Sequence, residues 1–315
     1  MPTFEEKVAN TATATRTHYQ KNDAAQGVIK EKHDPSKSKT KPGDEHDHAE
    51  KATAKKPAKD TAQKQSDYYG PDGCYLYSSK AYDNKVFIVA AAPAFDESLT
   101  GSGVMNQREI PGLDADKFRV VANIIKQEGV TNNPGEYLNI ANAGNNEAKA
   151  RGLSLYDLLM TGYSSVKNKT PLHNSDTSDA ARFARAALLC VLQGYSDTSG
   201  GATFWDGTDF LAWGLQSPDG TPQNKFTEYN QVEISKNIFD AYLDSNRQKY
   251  GPNVTFGKVA YPLPAKVFSD PGNWQNGMFI YKTGASSKYK LVATATGGLS
   301  IFWKKVLNIN VNGKN

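Results

Sequence analysis

The first 66 residues carry few large apolar side chains (Phe4, Val8, Tyr19, Val28 and Ile29); Ala, Lys, Thr, Asp and Glu dominate the rest. Such a segment cannot bury enough apolar surface to offset the entropy of an ordered chain, so residues 1–66 are predicted to form a disordered leader. Within it, Pro2-Thr3-Phe4-Glu5-Glu6 has the form of a helix start over residues 3–9, with Thr3 as N-cap and Glu6 closing a capping box. That helix is read either as a frayed terminus or as a docking peptide for an export machine. The fold is therefore confined to the rest of the chain, which holds nearly all the aromatic residues and is long enough to bury a core.

Charge and cysteine content narrow the function classes. The net charge of +4 is small for 315 residues, and the leader's lysines are interspersed with acids. This is not the concentrated basic stripe of a nucleic-acid binder. Cys74 and Cys190 are too few for a disulfide framework, although one bridge between them is sterically conceivable. Met1 to Asn10 contains acids and no apolar run of the signal-peptide kind, and no stretch approaches the ~20 apolar residues of a membrane span. The expected origin is the cytoplasm, with any action outside it following lysis, export or injection.

Periodicity places the elements. Tyr75 to Tyr77 and Lys85 to Ala92 read as strands. Phe118, Val121, Ile124 and Ile125 form one apolar stripe of a helix over residues 116–127, capped by Asp114 or Asp116. Ser154 opens a short helix with Asp157 in the capping-box position, and Ser178 opens an Ala-rich helix that stops at Gly194. A further helix is expected from Glu228 to Lys249, with Ile234, Ile238 and Tyr242 on one face. Met278 to Thr283 reads as a strand, and Tyr289–Thr296 and Leu299–Val306 as a hairpin turning at Gly297-Gly298. The class is α+β, with a helical centre and flanking strands.

Glu128 follows Ile124 by four residues and Val121 by seven, so it projects from the apolar stripe of its helix. A carboxyl at the end of such a stripe is partly desolvated, which favours its protonated form and suits a general acid. Gly129 is expected to end the helix and leave room for a substrate. The alternative is a Glu at a fraying helix end with its side chain in water.

Three stretches carry a family resemblance: Val120 to Gly129, Pro134-Gly135-Glu136-Tyr137-Leu138-Asn139-Ile140-Ala141-Asn142, and Ser196-Asp197-Thr198-Ser199-Gly200-Gly201-Ala202-Thr203-Phe204-Trp205. Together with the Ala-rich helix between them, they resemble the SleB/CwlJ-type cell wall hydrolases, over under a third of the chain. The resemblance implies a lysozyme-like fold, Glu128 as the acid, and cleavage of the glycan strand of peptidoglycan, commonly by intramolecular attack that leaves an anhydro end. The family's Glu-Ala-Arg-Gly-Glu run is here Glu128-Gly129-Val130-Thr131-Asn132, so its second carboxylate is missing. Hydrolysis by two carboxylates needs them about 5 to 9.5 Å apart. Glu136 near the start of the second helix, Glu147 in a polar loop and Asp157 are the acids near enough in sequence to assist. A single-acid lytic transglycosylase fits the pattern better than a two-carboxylate hydrolase.

Trp205 and Asp206 are the expected substrate contacts, with Phe204, Tyr137, Asn142 and Tyr195 behind them, because sugar rings stack on aromatic faces while polar neighbours take the hydroxyls. Phe210 and Trp213 are assigned to the core. The Asp44-Glu45-His46-Asp47-His48 tract lacks the spacing of a metal site, His173 has no triad partners, and no cofactor is expected. Three segments are expected: the leader 1–66, a lysozyme-like catalytic domain 67–262, and a C-terminal hairpin region 263–315 packed on it. The expected partners are peptidoglycan, an export or injection apparatus reached through residues 1–66, and an immunity protein. The opposing reading is a non-catalytic structural or wall-binding component of a phage-like or contractile injection apparatus.

Overall fold

The computed structural model describes residues 64–89, 107–162, 169–212, 231–256, 259–264, 266–282 and 289–307. The chain divides after Gln63 into two units, and the described residues all belong to the second. The helix expected at 3–9, the His-containing tract and Trp213 lie outside the described residues. The folded unit starts earlier than the composition indicates. Lys64 pairs with Asp116 at 2.7 Å, and Ser66 and Asp67 are fully buried, so residues 64–66 belong to the fold rather than to the leader.

The architecture mixes α and β, with most of the helices lying between two sheets in the sequence. Strands β1 (Ser66–Tyr69), β2 (Tyr75–Ser79), β3 (Val86–Val89) and β4 (Gln107–Glu109) form the first sheet, in the order β2-β1-β3-β4. On one face of β1, Tyr68 stacks between Tyr77 and Phe87, with ring centroids 4.4 and 4.8 Å away. The cost of burying Asp67 is offset by its partners: Ser78 Oγ donates to it at 2.6 Å and Asn174 Nδ2 at 3.1 Å, with Arg119 at 3.4 Å.

The first helix, α1 (Ala115–Glu128), is capped by Asp114, which accepts from Lys117 N–H at 2.8 Å, and the expected stripe Phe118, Val121, Ile124, Ile125 is at most 1% exposed. The next, α2 (Pro134–Arg151), runs through Glu147, which therefore sits on a helix and not in a loop. Its residues 136–144 are all buried, which hides the helical period from a reading of hydrophobicity alone. In α3 (Leu155–Gly162) Ser154 Oγ takes the Asp157 N–H and bonds its carboxylate at 2.6 Å, as the capping pattern predicts. The Ala-rich α4 (Asp179–Leu192) starts at the Ser178 cap, and its small faces let α1 and α2 pack closely on it.

Just before α4, burial works against the charge on Asp176. Hydrogen bonds from Lys126 Nζ at 2.6 Å and from Ser178 outweigh it and hold the carboxyl at about 2. A folded-state value below the unfolded ~3.9 adds stability above pH ~4 that is lost as pH falls through the folded value. Melting temperatures measured from pH 6 to 2 should therefore fall less steeply for Asp176→Asn than for the wild type between pH 4 and 2. Parallel curves would mean that the pair contributes nothing.

The remaining strands are β5 (Phe204–Asp206), β6 (Gln231–Ser235), β7 (Asn253–Phe256), β8 (Val259–Pro262), β9 (Trp274–Gln275), β10 (Met278–Lys282), β11 (Tyr289–Gly297) and β12 (Ser300–Leu307). Six of them form the second sheet, in the order β5-β12-β11-β6-β10-β9, while β7 and β8 make a small separate hairpin. The sheet draws strands from both sides of residue 262, so the expected boundary there runs through one continuous sheet. One face carries Val232, Ile234, Phe279, Leu291, Ile301 and Trp303 against α5 (Lys236–Tyr250) and the buried Phe210.

Two expectations at this end are corrected. The helix expected from Glu228 to Lys249 is strand over 231–235 and helix only from Lys236, because Val232 and Ile234 alternate with Gln231 and Glu233 and the strand is paired on both edges. The hairpin turns at Gly298-Leu299, one residue later than expected: Gly297 pairs with Ser300, and Gly298 takes the positive φ of 57°.

Candidate functional site

Glu128 is the last residue of α1 and is half-buried, directly above the apolar stripe. The Gly129 N–H closes the helix by donating to the Ile125 carbonyl at 3.1 Å. The surroundings of Gly129 are packed rather than open. A Cβ there would lie 2.3 to 2.8 Å from the Tyr137 ring, so the space expected for a substrate is filled by that ring. Tyr137 is 1% exposed and packs on Phe183 at 5.8 Å. Burial pushes its phenol far up, and the charges of Glu136 and Asp179 add to the shift. Beyond Gly129 the chain surfaces at Val130, which is 52% exposed.

Glu136 is fully buried, and five donors converge on it. Val130 N–H (3.3 Å), Thr131 N–H (3.1 Å) and Thr131 Oγ1 (2.5 Å) donate to Oε2; Leu299 N–H (3.3 Å) and Ser300 Oγ (2.7 Å) donate to Oε1. Glu147 pairs with Arg151 one turn along α2, and Asp157 bonds Ser154. All three neighbouring acids are thus engaged in holding structure.

The same face of α2 continues as Asn139, Asn142 and Asn146, spaced three, three and four residues from Glu136 onward. Asn139 and Asn142 hold Thr198 Oγ1 at 2.6 and 3.3 Å, and Asn146 Nδ2 reaches Asp197 and the Ala202 carbonyl at 2.9 Å each. Asn142 is 4% exposed, so its amide serves this seam. Asp197 folds the turn on itself by accepting from Ser199 N–H at 2.8 Å and Gly201 N–H at 2.8 Å. Burial raises its carboxyl, but these bonds and that from Asn146 prevail and hold it below the usual range. Gly200 and Gly201 both need positive φ (67° and 80°). From the sheet side, a bulge in β11 aims Thr294 Oγ1 at the Ser199 carbonyl, 2.6 Å away.

That turn delivers Phe204, Trp205 and Asp206 into β5 at the sheet edge, and alternation separates them. Phe204 packs on the α5 side, and Asp206 shares that face; its charge, after burial and Asp209, helps push the Tyr242 phenol up. Trp205 faces the opposite way, against Phe302 at 6.4 Å, on the face where Ser300 bonds Glu136. With Phe302 opposite Trp205 and Ser300 two residues further along β12, the Trp205 and Ser300 backbones are roughly 8 Å apart. The fold therefore brings Trp205 to the side of the sheet that is tied to the Glu128 loop, and turns Phe204 and Asp206 away. Tyr195, 58% exposed, stands just before the turn.

Hydrophobic patterning does not point to Thr131, Asn139, Asn146 or Thr198. The one signal for the two asparagines is a polar stripe at helical spacing inside an otherwise apolar stretch of helix. Cavities of about 370 to 470 Å³ lie around Glu233 and Lys290, around Asn84 and Glu109, and around Phe239 and Trp274, and these are not lined by Glu128 or Trp205. Among the described residues no cluster of His, Cys, Asp and Glu has the geometry to hold a metal, and no disulfide joins Cys74 and Cys190. His173 is exposed and bonds Ser175 Oγ at 2.6 Å. The chain matches no family model, no curated protein and no solved structure.

Proposed function

We propose that the protein cleaves the glycan strand of peptidoglycan, with Glu128 as its single acid and a lysozyme-like role for α1 to α4. The observation that carries this reading is the place of Glu128, half-buried at the end of the apolar stripe of α1, while Glu136, Glu147 and Asp157 each hold local structure. A lone acid favours lytic cleavage over two-carboxylate hydrolysis.

In that chemistry Glu128 gives its proton to the glycosidic oxygen as the bond to the anomeric carbon breaks. A hydroxyl of the same sugar then attacks that carbon and returns a proton to the Glu128 carboxylate, closing the anhydro ring and restoring the enzyme. In this reading Tyr195, which is exposed, and Trp205, which shares the sheet face of Ser300, supply the aromatic faces on which sugar rings stack. Delivery as a cargo or effector, with action in the cell wall or periplasm, belongs to the same reading, since that is where the substrate lies.

Purified protein incubated with isolated sacculi tests the reading. Soluble muropeptides with anhydro ends are expected by mass spectrometry. Reducing ends alone would replace lytic by hydrolytic cleavage. Binding to sacculi without release would leave the wall-binding component as the function.

A further inference from the structure

We infer that Glu136 is a positioning residue for Glu128, holding the catalytic acid from the sheet side through the loop that follows it; this rests on Glu128 being the acid. The Glu128 backbone, last in α1, is fixed by the helix only on its N-terminal side. The chain then leaves the helix over residues 129–131, where the Gly129 N–H bonds back to the Ile125 carbonyl. Gly129 packs against the Tyr137 ring, and Val130 and Thr131 are tied to one buried carboxylate. Oε2 of Glu136 takes both backbone N–H groups of Val130 and Thr131 and the Thr131 hydroxyl, while Oε1 takes Leu299 N–H and Ser300 Oγ at the tip of the hairpin.

Every one of these five partners is an N–H or O–H group of a neutral residue. An ionised carboxylate accepts at both oxygens, whereas an amide in either orientation sets its NH2 against a backbone N–H. The site is therefore built for a carboxylate and not merely for a polar group. Its neighbours are shaped around it as well: a Cβ on Gly298 would come within 2.5 Å of Glu136 Oε2 and of Thr131 Oγ1. A carboxylate used this way links the acid loop, the start of α2 and the end of the sheet into one rigid corner. Near-attack geometry is sensitive to shifts of about 1 Å, which can cost on the order of a hundredfold in rate.

The test uses the full chain, with soluble glycan fragments as substrate and Thr131 as the gentler site of change, since Glu136→Gln can lose the fold outright. Thr131→Val removes the 2.5 Å bond while keeping the volume, and Thr131→Ser keeps the hydroxyl. Thr131→Val is expected to lower kcat by about tenfold or more with KM within about twofold, and Thr131→Ser to restore kcat. Ser78→Ala, which cuts a 2.6 Å bond to the buried Asp67 in the first sheet, serves as the control for lost stability and is expected to lower the melting temperature without touching kcat. If kcat of Thr131→Val equals that of wild type, or falls only as its melting temperature does in step with Ser78→Ala, Glu136 is purely structural and the inference is overturned. An inert wild-type protein, by contrast, overturns the reading of Glu128 itself.

Discussion

Glu128→Gln is expected to reduce muropeptide release from sacculi by roughly 10² to 10⁴, the range a positioned general acid supplies. Glutamine matches the carboxylic acid in size and polarity but has no proton to give to a leaving oxygen. The side chain is half-buried at a helix end rather than in the core, so the melting temperature and far-UV circular dichroism should stay near those of wild type. Binding to sacculi should also persist, since stacking on Trp205 and Tyr195 does not involve the acid. Equal release by variant and wild type would end the enzymatic reading that names Glu128.

The second large effect is on stability. Gly298→Ala places a Cβ 2.5 Å from both Glu136 Oε2 and Thr131 Oγ1, at a residue whose φ is +57°. The left-handed backbone alone costs an alanine about 1 to 2 kcal/mol. Separating the hairpin tip from Glu136 adds buried donors and a buried carboxylate with bonds unmade, at about 1 to 3 kcal/mol for each group left unsatisfied. A total near ~3 kcal/mol should lower the melting temperature by roughly 6 to 12 °C in a unit of this size. Gly152→Ala is the matched comparison, for Gly152 also has a positive φ (67°) but nothing within 4 Å of its would-be Cβ. The two variants should differ by the clash alone. Equal melting temperatures would show that the hairpin tip moves aside without cost.

The contrast between α1 and Glu136 shows what a sequence of this kind discloses and what it hides. In α1 the stripe, the Asp114 cap and the terminal glycine all act within a few residues, so its limits and the exit of Glu128 are legible. Glu136 looks like an ordinary acid in a first turn, because its partners Leu299 and Ser300 lie 163 and 164 residues away. Strand β6 reads as helix because its two β-branched residues also fit a helical face joined to Ile238 and Tyr242; pairing with β10 and β11 decides between the periods. In the turn at 196–203 the glycines are informative, but the three asparagines holding it belong to a helix whose period is masked by burial along its first half. Trp205 and Asp206 are adjacent in sequence and read as one patch, whereas strand alternation puts them on opposite faces.

The sheet that crosses residue 262 also constrains the order in which the molecule can be made. Strand β5 pairs with β12, the last strand of the sheet, and the tip that leads into β12 supplies two of the five bonds to Glu136. The helices can form early from local contacts, but pairings so distant in sequence cost a large loop-closure entropy and come late. Until residues 298–307 have been synthesised and docked, the loop after Glu128 has only half of its anchor. A nascent chain that stops short of β12 thus holds Glu128, Trp205 and the described helices without the Leu299 and Ser300 bonds to Glu136.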